Sequence, residues 1–369
     1  MKGVTIAAAW LVLAALSSAS AESGPARVVA GTDLGRHTVP LEQVLFDTFD
    51  GGMLPLSQAT EAQVLRLRDA IRPVRSPRYD SVQEAGRWLA PEDLLVAYVA
   101  GGAALAYPVR ILNFHEIVNE TVDGVPILIS YCPLCGSGIV YDRRLDGREL
   151  VFGNTSALYE SDMVMYDRQT LSYWFQVSGE AIVGELAGRR LTPLPSLLIR
   201  FDRWRRDFPE GRVLSPEGLR GEGPDPFAGY TDYLNAGRFA FPVSDAARDP
   251  ALPAGERIVG VVVDGTARAY PVERLRGRVV NDALRGTPLA VAVDALGNGF
   301  VFDRRSAGTE VRLAWDEAGA LTAADGRRWS AATGAALGTG EPLAALPSRW
   351  TYWFSFASAF PEASVYTEG

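Results

Sequence analysis

The 369-residue chain carries the same short motifs twice in the same order, and this repetition constrains its fold more than any single segment does. Ala106-Tyr107-Pro108-Val109 returns as Ala269-Tyr270-Pro271-Val272, and Val118-Asn119 with Pro126 returns as Val280-Asn281 with Pro288. Gly138-Ile139-Val140-Tyr141-Asp142-Arg143-Arg144 is echoed by Gly299-Phe300-Val301-Phe302-Asp303-Arg304-Arg305. Leu194-Pro195-Ser196 and Phe208-Pro209-Glu210 are echoed by Leu346-Pro347-Ser348 and Phe360-Pro361-Glu362. The offset shrinks from 163 at Tyr107 and Tyr270 to 152 at Phe208 and Phe360, as deletions in a second copy produce.

Within each copy the local signals are those of short strands: β-branched runs of four to eight residues bounded by Gly, Pro and Asp. Leu94 to Val99 and Ala103 to Tyr107 flank Gly101-Gly102, and Pro126 to Tyr131 is apolar throughout. Helical patterns are few: Glu61 to Ala70, closed before Pro73, and Leu197 to Phe208, closed by Pro209. The expectation is a mainly β, α+β protein of two related β-rich halves, barrel-like or sandwich-like, with short helices and a degenerate second half. The predicted boundaries are a signal peptide over 1–21, a lead-in over 22–70, a first repeat over 71–215, a Gly/Pro/Asp/Ala-rich linker over 216–253 and a second repeat over 254–369.

The first of those segments sets the compartment. Lys2, the apolar run Val4 to Leu16 and the small residues Ala19-Ser20-Ala21 have the order of a cleaved secretory signal, and the apolar run is too short to span a bilayer. A periplasmic or secreted protein without stable membrane insertion is therefore expected. Removing residues 1–21, which hold Lys2 and no acid, takes the formal charge from −8 to −9. An acidic chain has no surplus of cations to replace phosphate counterions, which argues against nucleic acid as a partner.

Two cysteines in an exported chain ordinarily mean one disulfide. Cys132 and Cys135 stand too close for that to add much: closing so short a loop supplies about 2 kcal/mol before strain. The spacing suits two thiolates on one metal ion, or a dithiol that cycles. The duplication serves as an internal control, because Tyr131-Cys132-Pro133-Leu134-Cys135 faces Val293-Asp294-Ala295-Leu296 and His115 faces a gap near Gly277. These three side chains are not required by the shared fold, so they are the candidates for chemistry.

With His115, Cys132 and Cys135 as ligands and Met165, or its neighbour Met163, as a fourth, the donor set is soft to borderline and favours copper; Glu116 or Asp167 as the fourth favours zinc. Asp167, Arg168, Trp174 and Gln176 are expected to shape a binding pocket over the metal, since the second copy replaces much of this stretch with Ala324-Asp325-Gly326-Arg327-Arg328. The leading expectation is an exported copper protein, a metal-dependent oxidoreductase or metal-handling factor acting on an unidentified small molecule or protein. The alternatives are a thiol-disulfide oxidoreductase, for which the strand context of the motif supplies no activating helix N-terminus, and a non-catalytic binding module with a structural disulfide or zinc.

Ala106-Tyr107-Pro108, Ile111-Leu112-Asn113-Phe114-His115-Glu116-Ile117-Val118-Asn119, Tyr131-Cys132-Pro133-Leu134-Cys135-Gly136-Ser137 and Met165-Tyr166-Asp167-Arg168-Gln169-Thr170 together resemble the bacterial and archaeal family catalogued as domain of unknown function 3179. The resemblance runs from about Ile71 to about Thr367, with Phe114 where that family usually has Trp and Glu120 where it usually has Asp. It implies that the histidine and the cysteine pair belong to a shared motif, and it implies no activity.

Overall fold

A computed structural model describes residues 22–23, 27–220, 225–338 and 340–367. The signal-like residues 1–21 lie outside the described residues. The fold is mainly β, with several sheets and a few short helices. The strands that position the functional residues begin with β1 (Leu45–Asp47). Helix α1 (Glu61–Leu67) starts at Thr60, whose hydroxyl and Gln63 form a capping box, and ends three residues short of the predicted Ala70.

Next come β2 (Leu94–Ala100), β3 (Ala103–Pro108), the short helix α2 (Val109–His115), and the antiparallel meander β4 (Ile117–Val122), β5 (Val125–Cys132) and β6 (Ser137–Asp142). A second antiparallel run follows, β7 (Phe152–Tyr159), β8 (Asp162–Asp167), β9 (Tyr173–Phe175) and β10 (Glu180–Val183), with β1 pairing the outer edge of β7. β11 (Leu197–Arg200), α3 (Phe201–Asp207) and β12 (Arg212–Leu214) close this part of the chain. β11 pairs antiparallel with β2, and β12 pairs parallel with β3.

The remaining chain pairs in the same order. β13 (Arg257–Val263) and β14 (Thr266–Pro271) form a hairpin, followed by α4 (Val272–Leu275) and the meander β15 (Arg278–Leu284), β16 (Thr287–Val293) and β17 (Gly299–Asp303). β18 (Arg349–Tyr352) pairs antiparallel with β13, and after α5 (Trp353–Ala359) the short β19 (Ser364–Val365) pairs parallel with β14.

The two parts interlock. β6 bonds to β18 through Gly138 and Trp350, so β4-β5-β6 continues into β18-β13-β14-β19 as one sheet. At the corresponding place β17 lies against β11, where Asn298 accepts a hydrogen bond from the Arg200 amide. Two glycines make room for packing within each part: a Cβ on Gly138 of β6 would sit 2.5 Å from Val96 of β2, and one on Gly299 of β17 2.6 Å from Trp350 of β18. Each meander is buried on the sheet of the other part, which explains strands such as β5 and β16 that are apolar on both faces.

Segment 216–253 is far from a bare connector. It contains a helical turn over Tyr230–Asn235, and Leu234 and Ala247 are buried in the same core as Cys132, Cys135 and Met163.

Candidate functional site

Cys132 ends β5 and Cys135 precedes β6, in a tight turn closed by the Cys135 amide on the Cys132 carbonyl (3.2 Å) and the Gly136 amide on the Pro133 carbonyl (3.3 Å). Gly136 has φ +55°, a left-handed conformation, and a Cβ there would strike the Tyr352 ring at 2.8 Å. The later part of the chain anchors this turn: the Tyr352 amide and the Thr351 hydroxyl both donate to the Cys135 carbonyl. Both thiols are free and buried, with sulfurs 3.2 Å apart.

The third member of the cluster is Asp162. It opens β8 after a two-residue turn, Glu160-Ser161, in which both residues have positive φ (54° and 57°), as a type I′ hairpin demands. Neither residue is glycine, and the turn is held from outside. The Ser244 amide donates to the Glu160 carboxylate at 2.8 Å and the Phe241 amide to the Ser161 hydroxyl at 3.3 Å, both from segment 216–253. Ser355 of α5 donates to Asp162 Oδ2 at 3.2 Å, whereas Oδ1, fully buried, has no hydrogen-bond partner. One carboxylate oxygen of Asp162 and the two sulfurs all lie within 4.8 Å of one another, a spacing that one metal ion can bridge.

Cys132 also borders a cavity of about 220 Å³, whose walls include Glu116, Asn154, Met163, Phe227 and Phe241. Glu116 caps the C-terminus of α2 at φ +57°, and its carboxylate accepts from the Asn154 amide. Asn154 reaches the cavity because β7 carries a bulge between Asn154 and Ala157, with Ser156 at φ +60°.

The electrostatics are one-sided. Burial pushes the Cys132 thiol up to about 11 and the Cys135 thiol well above its ordinary value. Burial also raises Asp162 to about 6 and Glu116 to about 8, the latter with help from the Asp162 charge. The main influences on these four groups are burial, one another and neutral donors. Four acidic groups without a countercharge among those influences are the donor set a cation would relieve.

The other residues singled out in the sequence lie apart from this cluster. His115 is not part of the cluster: its Nδ1–H donates to the Arg72 carbonyl at 2.7 Å and its Nε2 accepts from the Arg220 amide at 3.0 Å. Both ring nitrogens are thus committed to backbone partners, and no lone pair remains for a metal. Met165 is likewise not placed as a ligand. It shares a face of β8 with Met163 but lies one pleat further along, opposite Asn154 on β7 and Trp174 on β9, and only Met163 reaches the cavity.

The four residues expected to line a pocket all bond to neighbouring parts of the framework. Asp167 accepts from the Thr170 amide and hydroxyl and from the Trp174 indole N–H at 3.0 Å, which satisfies both buried groups within one turn. Arg168 pairs with Asp69. Gln176 joins β5 to β6, accepting from the Ser137 hydroxyl (2.6 Å) and donating to the Ser130 hydroxyl (3.0 Å). None of the four borders the cavity beside Cys132.

Asp162 escaped sequence reasoning, although an acid opening the otherwise apolar strand Met163-Val164-Met165 is a signal in retrospect, because an ionisable group in a buried strand needs a reason. Asn154 had no such signal, since its orientation depends on the bulge.

Residues 68–363 match the family model described as "Protein of unknown function (DUF3179)", and the chain belongs to that family. Neither a curated protein nor a solved structure matched it.

Proposed function

We propose that this DUF3179 protein binds one soft or borderline metal ion, copper first and zinc second, through the Cys132 and Cys135 thiolates and the Asp162 carboxylate, and that it acts outside the cytoplasm as a redox or metal-handling protein. The observation that carries the reading is Asp162 Oδ1, a fully buried carboxylate oxygen that no positively charged group faces and that has only the two free thiols as weak donors. Burying such an oxygen is unfavourable by several kcal/mol unless something binds it. Met163, bordering the same cavity as Cys132, adds a third sulfur in the neighbourhood and inclines the donor set toward copper. The cavity gives a substrate or a metal-donating partner access to one face of the centre. Export rests on the signal-like residues 1–21.

The test is anaerobic reconstitution with Cu(I) and, separately, Zn(II), followed by gel filtration and elemental analysis. One ion per chain is expected in the wild type and a small fraction of that in Cys132→Ser and Asp162→Asn. Full metal content in both variants refutes the assignment.

A second reading follows from the 3.2 Å separation of the sulfurs. Cys132 and Cys135 would pass two electrons and two protons to a substrate disulfide and become a disulfide themselves, with Asp162 taking the first thiol proton. Burial works against it by keeping both thiols protonated. A metal-free protein with no reversible two-electron couple in a glutathione titration excludes it.

A further inference from the structure

A second site lies away from the cysteines, in a groove of about 660 Å³ between β13, β18, the chain after α5 and residues 190–193. Arg349, the first residue of β18, borders it while only 5% exposed. Its Nε donates to the Val177 carbonyl at 2.8 Å and its guanidinium lies 5.1 Å from the Phe360 ring centroid. The Tyr141 hydroxyl faces the same group, and among the described residues no carboxylate pairs with it. Burial depresses its basicity, yet a guanidinium stays charged at any ordinary pH. A buried cation without an anion is unfavourable, so a framework role alone accounts poorly for an arginine here.

The repeated pairing supplies a comparison within the molecule. Arg349 pairs with Gly260 on β13, and at the corresponding register of β11 and β2, Leu197 pairs with Ala97. The corresponding groove, bordered by Val99 and Leu197, measures about 70 Å³ and has no charged residue in its walls. The fold therefore accepts leucine at this position, and the arginine comes with a groove several times larger. Its walls are mostly apolar, with Leu191, Pro193, Val262 and Phe360 among them. The other charged residues there are Arg190, already paired with Glu180, and Glu362 at the exposed rim.

We propose that this groove binds a small organic carboxylate, its head on the Arg349 guanidinium and its apolar body along Val262 and Phe360. One guanidinium without a paired carboxylate matches the single charge and planar geometry of a carboxylate, and with its Nε already on the Val177 carbonyl it offers a phosphate dianion too few donors. The site is independent of the metal centre.

Hexanoate is the probe, with hexanamide as its neutral isostere, titrated calorimetrically into the full-length wild type and Arg349→Leu. Saturable one-to-one binding of hexanoate is expected, weakened at least about tenfold both for hexanamide on the wild type and for hexanoate on Arg349→Leu, as loss of a charge-assisted pair entails. Circular dichroism checks that the variant folds, and the amide comparison stands without it. Equal affinity for acid and amide, no saturable heat at millimolar hexanoate, or undiminished binding by a folded Arg349→Leu overturns the site.

Discussion

Replacing Asp162 by asparagine should make the metal-free protein more stable while abolishing metal binding. Burial raises the Asp162 carboxyl from an ordinary 3.8 to about 6. A group whose folded-state value is raised in this way holds its proton more tightly folded than unfolded, so its ionisation destabilises the fold. The penalty is absent below about pH 3.8, grows through the interval and is complete above about pH 6. At about 1.4 kcal/mol per tenfold change in acidity, it reaches about 3 kcal/mol at pH 7.5 and about 1 kcal/mol at pH 4.5.

Asparagine removes the charge but introduces an amide that faces only thiol sulfurs, which are weak acceptors, and this returns about 1 to 2 kcal/mol of the gain. The net expectation is that Asp162→Asn is more stable by about 1 to 2 kcal/mol at pH 7.5, and that the advantage disappears or reverses at pH 4.5. Urea unfolding of both proteins at the two pH values, with a chelator and a reductant present, measures it. A variant less stable than the wild type at pH 7.5, or a stability difference that ignores pH, would show that the carboxylate is satisfied inside the protein and would remove the main support for a metal there. With metal added the order should invert, because only the wild type gains binding free energy.

Other outcomes follow from the same geometry. His115→Ala should leave metal content unchanged and lower stability by about 2 to 3 kcal/mol, since it strands the Arg72 carbonyl and the Arg220 amide; elemental analysis with thermal unfolding checks both halves. Iodoacetamide at pH 7.5 should label Cys132 of the folded, metal-free protein at least about a hundredfold more slowly than the urea-unfolded chain, because raising the thiol from 9.0 to about 11 removes most thiolate before access is counted; comparable rates would contradict the burial argument. Gly138→Ala should cost about 1 to 3 kcal/mol, because its Cβ would lie 2.5 Å from Val96 of β2, which packs against β6; a variant that melts with the wild type would mean that packing is looser than described.

The order of motifs along the chain was enough to anticipate a β-rich molecule with few helices, because strand propensity, turn glycines and apolar runs are local properties that survive without knowledge of neighbours. The proximity of Cys132 and Cys135 was legible for the same reason: two thiols three residues apart are near each other in any fold. The surroundings of His115 were not legible, because its distance along the chain from Cys132 does not fix what its ring meets, and the ring meets two backbone groups.

What the sequence alone determined is thus the class of fold and the pair of sulfurs. Only tertiary structure brought Asp162 to the thiols and Arg349 to its groove. Asp162 reaches the thiols through a left-handed turn clamped by segment 216–253 and a hydroxyl from α5, and Arg349 faces a groove made by chain on either side of the interlocked sheets. Both depend on contacts between residues 80 to 193 positions apart, and a buried charge acquires its meaning only from what surrounds it.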